Sequence, residues 1–453
     1  MNLSGRNLSG MNVLVDGFNL ELAKGTGIKT YGVSLVQALD KLGADVSVLF
    51  SRDVNQTRDP LLDEVLFFDT EPEDSYAGSV GRLRKYRDLS KILYKAAAKR
   101  PYKAQHLPNS DRVVKKPVQG SFVSSLADGI DKVDIYNLRN CYKQANTLFK
   151  YLSQETYIDL SQSGSSADKI DVFHSTYPLP VQVKGAKKIT TIHDLIPLRL
   201  PYTTLDKKPF HYELVRRSLK ESAAIATVSE NSRRDILELY DVDPDKVKVT
   251  YQPIALRQMD DDEATVQRFL RKYGLDYKNY ILFVGAIEPK KNVGRLIDAY
   301  LGLDTDIPLV IVGKLGWLWS EEVGHVVDGA GKDKCNVQLL QYVSSNDLRY
   351  LFSGATCFTF PSLYEGAGLP VLEAMSFGCP VLTSNTASLP ELGGDAVLYA
   401  DPYDVQSIRE QLSKLLSDTE LRQTLSQKGL EQAQKFSMEN YLKSVSELYS
   451  LVT

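Results

Sequence analysis

Cysteine is scarce. The 453-residue chain carries four, Cys141, Cys335, Cys357 and Cys379. No two have C-x-x-C spacing and no nearby histidines complete a zinc set, which argues against a disulfide scaffold and a structural zinc site. The thiols are expected to be reduced, with Cys357 and Cys379 as small core residues inside apolar runs. Long apolar stretches are also missing. None reaches the roughly 18 residues of a membrane span, and the opening MNLSGRNLSGMNVLVDGFNL has no apolar core of a secretory signal. Charge of one sign is not in excess. The formal net charge of −3 excludes a global attraction to nucleic acid. These absences lead us to expect a cytoplasmic chain.

What is present is ordinary for a globular protein: 43% hydrophobic and 25% charged residues, in a chain long enough for two or three domains. The doublet NLSGRNLSG has a five-residue period, but two copies cannot build a stable solenoid. It reads as a leader or as residues upstream of a start at Met11. From Met11 the segments MNVLVDGFNL, ELAKGTGIKTYG and VSLVQALDKLGADVSVLF read as strand, glycine loop, helix and strand, and VLFFDT as a further short strand. The segment 75–160 is different. Arg82, Arg84, Lys85, Arg87, Lys91, Lys95, Lys99 and Arg100 interleave with apolar residues at helical period, and a helix is expected around Asn137 to Ser153.

Alternation resumes at Asp171 with DVFHST, KKITTIHDLIP, KKPFHYELVRRSLKESA, AIATVSE, ENSRRDILELY and KVKVTYQPI. A second series runs from NYILFVGAI to DAVLYADP, and helices follow to the end. Short unalternating apolar strands between amphipathic helices imply parallel sheets covered on both faces. We therefore expect an N-terminal domain over 1–255 with a basic insertion at about 75–160, and a C-terminal domain over 256–435. A final helix is expected over 436–453. Ligands of such folds bind beyond the carboxyl ends of the strands, here in the cleft between the domains.

The stretch PSLYEGAGLPVLEAMSFGCPVLTSN (Pro361 to Asn385) concentrates candidate chemistry. Glu365 emerges at the end of a buried strand. Gly366 and Gly368 permit a tight turn and close approach to a ligand, and Pro370 suits the first turn of a helix. The free amides and dipole of that turn favour an anion. Glu373 is placed roughly two turns down the helix. Carboxylates on either side of an anion site fit a nucleotide-sugar, with sugar hydroxyls at one end and ribose hydroxyls at the other. The plainer reading of both glutamates is as solvated charges. The run Asp260, Asp261, Asp262 and Glu263 reads as a charge cluster at a helix start, and no D-x-D pair in a buried setting suggests a metal.

Together YILFVGAIEPKKNVGRLIDAY, LVIVGKLGW, LFSGATCFTFPSLYEGAGLPVLEAMSFGCPVLTSN and TIHDLIPLRLP resemble the family-4 glycosyltransferases. These are retaining enzymes of GT-B fold, α/β with two doubly wound Rossmann-like domains facing a cleft, and their mark is E-x7-E; the resemblance implies that the final helix, 436–453, crosses back to the first domain. The resemblance covers 279–435 almost continuously, and 11–50 and 171–254 in the first domain. It implies that Glu373 holds ribose hydroxyls and Glu365 faces the donor sugar. The amides of Gly366, Ala367, Gly368 and Leu369 would contact sugar and diphosphate. Lys291 falls at the diphosphate-binding lysine. Ala286 stands where many members have arginine, with Lys290 or Lys314 in a position to compensate. Gly25 and Gly27 match the glycine loop near the donor phosphates and acceptor, and the segment with Tyr342 and Val343 lines the base pocket. His193 faces the donor sugar, Asp194 orients it or binds acceptor, and His174 lines the same cleft.

The wording of these motifs is most similar to bacterial mannosyltransferase-like members of O-antigen and surface-polysaccharide synthesis. That implies GDP-mannose as donor, a saccharide or lipid-linked saccharide as acceptor, and no metal or other cofactor. Another GDP- or UDP-sugar is the alternative donor. The alternatives of other kinds are an epimerase or phosphorylase on the same architecture, and a non-catalytic saccharide-binding or partner module. The basic stretch 82–103 reads as a solvated helical face, or as a patch for an anionic membrane surface or lipid-diphosphate carrier at the inner face of the cell membrane.

Overall fold

The computed structural model describes residues 7–21, 27–54, 57, 59–69, 102–107, 113, 133–160, 169–256, 261–327, 336–341 and 343–453. Two large sheets organise them. The first has eight strands in the order Val247–Val249, Ala224–Thr227, Lys187–Ile192, Val172–Ser175, Asn12–Asp16, Asp45–Phe50, Asp134–Asn137 and Gln105–Leu107. Its pairings are parallel except at the Gln105–Leu107 edge. The second is wholly parallel, in the order Val337–Leu340, Leu309–Val312, Ile281–Val284, Cys357–Phe360, Val381–Ser384 and Leu398–Ala400. Central strands such as CFTF and VLTS are buried throughout, because helices cover both faces and leave no side for polar alternation.

In each sheet the chain order reverses beside the first strand. Asn12–Asp16 lies between Asp45–Phe50 and Val172–Ser175, and Ile281–Val284 lies between Leu309–Val312 and Cys357–Phe360. Such reversals open a crevice at the carboxyl ends of the two central strands. Helix starts are set by side-chain caps: Ser229 accepts from the Ser232 amide, Asp262 from Thr265 and Ser437 from Asn440. Asp262 is thus a helix cap, while Asp260 lies outside the described residues.

The helix Met438–Tyr449 leaves the second domain and packs into the first. Tyr441, Leu442, Val445, Leu448 and Tyr449 join one buried cluster with Val13, Tyr31, Leu35, Val48 and Val172. Burial of five large apolar side chains of this kind contributes on the order of 10 kcal/mol before entropy is counted.

One local expectation needs correction. VLFFDT is not a strand: Val65 to Asp69 lie in the helix Pro60–Asp69, which exposes Leu61, Leu62 and Val65, and Thr70 lies outside the described residues. Four adjacent apolar residues have no period that separates strand from helix. The expected helix at Asn137 to Ser153 is Cys141–Leu152, preceded by the strand Asp134–Asn137. The described part of 75–160 also supplies Tyr102–Lys103 and Thr156–Asp159, which pair with each other and, through Thr156–Asp159, with Val181–Val183 in a small parallel sheet. Those described residues are built into the sheets. Most of the basic stretch, including Arg82 to Arg100, lies outside the described residues. Among those described, no helix is long and apolar enough to cross a membrane.

Candidate active site

The reversal in the second sheet places two loops side by side. The loop after Ile281–Val284 ends in a short 3-10 turn, Pro289–Lys291, and the loop after Cys357–Phe360 carries Glu365. The two meet where Lys291 Nζ donates to Glu365 Oε1 at 2.5 Å. Both side chains are largely buried, and the ammonium also stands 4.9 Å from the centre of the Phe360 ring. Asn292 fixes this turn. It is buried at φ 61°, and its Nδ2 donates to the carbonyls of Pro361 (2.9 Å) and Pro402 (2.7 Å). The amide of Leu363 donates to the Lys290 carbonyl at 2.8 Å. Three strand-end loops are thereby tied into one surface.

Lys290 pairs with Glu288 at 3.4 Å. Burial would lower its pKa, but the carboxylates of Glu365, Glu288 and Asp194 outweigh that and hold it above the ordinary lysine value. Lys290 therefore stays charged among acids from both domains, whereas Lys314 is exposed. Val343 is half-buried against the second core, beyond the Val337–Leu340 strand. Tyr342 and Gly25 lie outside the described residues.

The helix Leu369–Ser376 begins at the glycine turn. Gly368 has φ +62°, and a Cβ there would meet Leu389 at 2.6 Å, so glycine is required twice over. Glu373 is the fifth residue of this helix, one turn in, not two. Removal from water pushes its carboxyl group up to about 7. Its backbone carbonyl accepts from Ser376 Oγ at 2.7 Å, but among the described residues its carboxylate shows neither a hydrogen-bonded nor an ionic partner. Glu373 is half-buried. A carboxylate withdrawn from water without a counter-charge is costly unless something binds it.

The first domain contributes the opposing wall. A Cβ on Gly27, at the start of the helix Gly27–Lys41, would lie 3.8 Å from Leu369 Cδ1. The first residues of the helices Gly27–Lys41 and Leu369–Ser376 thus lie beside one another where the domains meet, and each helix start carries the positive end of a dipole. A Cβ on Gly366 would strike the His193 carbonyl at 2.7 Å and Asp194 Cβ at 3.0 Å. The chain can therefore bring His193 and the Glu365 loop together only with glycine at 366. Ala367 packs against the first domain's core.

His193 Nε2 donates to the Thr176 carbonyl at 2.9 Å, which leaves Nδ1 as an acceptor. Its ring meets Tyr31 edge-on, with centroids 4.8 Å apart. Burial depresses its pKa, against the hydrogen bond to Thr176 and the charge of Asp194, so the imidazole is neutral at pH 7. Asp194 accepts from the Ile196 amide at 3.0 Å, just before the short helix Ile196–Arg199.

His174 is not on the cleft. It is completely buried, with Nδ1 2.8 Å from Tyr449 Oη and Nε2 2.9 Å from Thr191 Oγ1. Burial, with His193 nearby, pushes it down to about 3. It ties the crossing helix Met438–Tyr449 to the first sheet. The expectation that it lines the cleft fails because the covering helix is encoded some 270 residues later, and the end of a strand does not reveal which face its last side chains take.

Sequence reasoning also missed residues that join the domains. Glu391 accepts the amides of Glu230 (2.7 Å) and Asn231 (3.1 Å) and the Tyr251 hydroxyl (2.5 Å). Tyr364 Oη accepts from Asn231 Nδ2 at 3.0 Å and donates to Asp235 at 2.5 Å. No local pattern signals contacts between residues more than a hundred positions apart.

The geometry joins a cation, two helix N-termini and two carboxylates in one cleft, which suits a diphosphate flanked by hydroxylated groups. The comparisons agree. Residues 266–432 match the family model described as glycosyl transferases group 1, and residues 144–258 match that of glycosyltransferase family 4. The chain is 35% identical over 287 residues to O-antigen chain mannosyltransferase B of Escherichia coli, covering 62% of this chain and 74% of that one. It is 31% identical over 274 residues to the serotype-specific mannosyltransferase WbdA of Escherichia coli, covering 58% of this chain but 33% of WbdA. Among solved structures, sucrose-phosphate synthase from Thermosynechococcus elongatus superposes with TM-score 0.62 at 13% identity, covering 97% of this chain and 98% of that one. WaaG, a glycosyltransferase of lipopolysaccharide biosynthesis, does so with TM-score 0.58 at 15% identity, covering 96% and 99%. These structural likenesses establish the GT-B fold. The chain belongs to the group 1, family 4 glycosyltransferases.

Proposed function

We propose that this glycosyltransferase is a mannosyltransferase of polysaccharide synthesis. In this reading it takes GDP-mannose as donor, extends a saccharide or lipid-linked saccharide, retains the anomeric configuration and uses no metal. The similarity to mannosyltransferases of O-antigen synthesis supports the sugar. The observation that carries the chemistry is the Lys291–Glu365 pair beside the N-terminus of Leu369–Ser376, with the unpartnered Glu373 one turn along.

As the sugar–phosphate bond lengthens, negative charge grows on the leaving diphosphate. Lys291, Lys290 and the amides at Gly368 and Leu369 offer fixed positive charge where that happens, without a reorganisation cost. Glu365, neutralised by Lys291, accepts hydrogen bonds from the donor sugar's hydroxyls, and Glu373 accepts from the ribose. Neutral His193 accepts a sugar hydroxyl at Nδ1. The acceptor oxygen attacks from the face the diphosphate leaves, and its proton passes to a departing phosphate oxygen.

The test is transfer from GDP-mannose to a mannose-terminated oligosaccharide, in EDTA, read by mass spectrometry and by the anomeric coupling of the product. One added α-hexose is expected. No product from GDP-mannose, where another sugar nucleotide gives product, would overturn the donor. No product from any donor would overturn the activity.

A further inference from the structure

The cleft's two walls are held at a set spacing by one element, the first turn of the helix Glu230–Leu239. On one side, Ser232 Oγ donates to the His193 carbonyl at 2.9 Å. On the other, the buried Asn231 donates from Nδ2 to Tyr364 Oη at 3.0 Å, and its own amide donates to Glu391 at 3.1 Å. Tyr364 directly precedes Glu365. Its hydroxyl donates onward to Asp235, which is buried and held by Arg199 at 2.7 Å. Tyr364 and Leu363 also pack against Ile196 and Leu200 of the first domain. The Glu365 carbonyl accepts from Ser388 Oγ at 2.9 Å, three residues before Glu391. The segment carrying Glu365 is therefore gripped by the first domain on one flank and by the Ser388–Glu391 turn on the other.

We infer that Tyr364 and Asn231 are positioning residues for the transfer reaction, linking the seating of the two domains to the placement of Glu365 opposite His193. The inference rests on the proposed transfer activity. Among the described residues the side-chain hydrogen bonds of Tyr364 and Asn231 run to each other, Asp235 and Arg234 and not to Lys291, Glu373 or Leu369, so the link does not pass through the diphosphate and ribose contacts. Their removal should slow turnover and spare nucleotide binding. Misplacement of a reacting group by about an ångström costs ten- to a hundredfold in rate.

Tyr364→Phe keeps the ring and its packing but removes both hydrogen bonds. In the intact chain kcat should fall at least about tenfold, with the Kd for GDP, by calorimetry, changed less than about twofold. Asn231→Ala should behave likewise. The double variant should be no slower than the slower single one, because both break the same link. Unchanged kcat in Tyr364→Phe would overturn the inference, as would a proportional loss of kcat and GDP affinity, which marks a merely structural role. A second measurement does not depend on turnover: spin labels on Tyr157→Cys and Leu301→Cys, both exposed and one in each domain. Tyr364→Phe should broaden their distance distribution, and an unchanged distribution overturns the inference. If the unaltered chain transfers no sugar, the proposed function fails. If it transfers and Tyr364→Phe transfers equally well, only this inference fails.

Discussion

Glu373 gives the sharpest quantitative test, because its stability and binding effects have opposite signs. Its carboxyl group is carried from 4.5 to about 7 by removal from water, with no compensating partner. At about 1.4 kcal/mol per pH unit this disfavours the anion by about 3 kcal/mol at most. The residue keeps some exposure, so about 2–3 kcal/mol is the working range. The folded-state pKa lies above the unfolded one, so the cost is absent below about pH 4.5, grows as pH rises towards 7, and is complete above it. Glu373→Gln removes the charge and therefore the cost. The ligand-free variant should melt several degrees above the unaltered protein at pH 8, and within about two degrees of it at pH 5. In GDP or GDP-mannose the order should reverse, since only the unaltered protein gains the ribose contacts that raise stability by mass action. Thermal unfolding at both pH values, with and without GDP, reads all four numbers. A melting difference that is the same at pH 5 and pH 8, or a variant less stable at pH 8, would refute the claim that this carboxylate is held desolvated for a ligand.

Lys291→Ala leaves the Glu365 carboxylate without its cation, and should cost about 3 kcal/mol of stability in urea unfolding. It should also lower kcat/KM at least a hundredfold; adding Glu365→Gln should restore stability but not turnover. Burial holds His193 below the ordinary imidazole value, so turnover at saturating donor should fall on the acid side, as the ring protonates and loses its acceptor. Gly366→Ala drives a methyl group into the His193 carbonyl and should abolish transfer while each domain stays folded by circular dichroism. Turnover should survive EDTA, as the lysine and helix-terminus chemistry requires.

The parallel strands were legible because their apolar runs, such as YILFV and LVIV, are bounded by glycine and carry no alternation. The glycine loop was legible because Glu365, Gly366 and Gly368 stand in one short run after such a strand. The pairing of Lys291 with Glu365 was not, although both were singled out, since it depends on which strands become neighbours in the sheet. Asn292 was passed over because an asparagine at positive φ with two buried carbonyl partners looks, as sequence, like any turn residue. The exposed apolar side of Pro60–Asp69 misled for the opposite reason: Leu61, Leu62 and Val65 give the run a buried look. His174 and Tyr364 were hardest, since their partners Tyr449 and Asn231 lie far away in the chain.

The crossing helix Met438–Tyr449 has a consequence for biogenesis. The sheet that it completes is built from residues 12–249, yet its seam beside Tyr31 and Leu35 closes only when Tyr441, Val445 and Tyr449 arrive. During synthesis the first lobe must wait, with an open greasy groove, until the second has left the ribosome and folded. A fragment cut at the linker would carry that groove permanently and self-associate, whereas one with 438–453 grafted back by a flexible tether should stay monomeric.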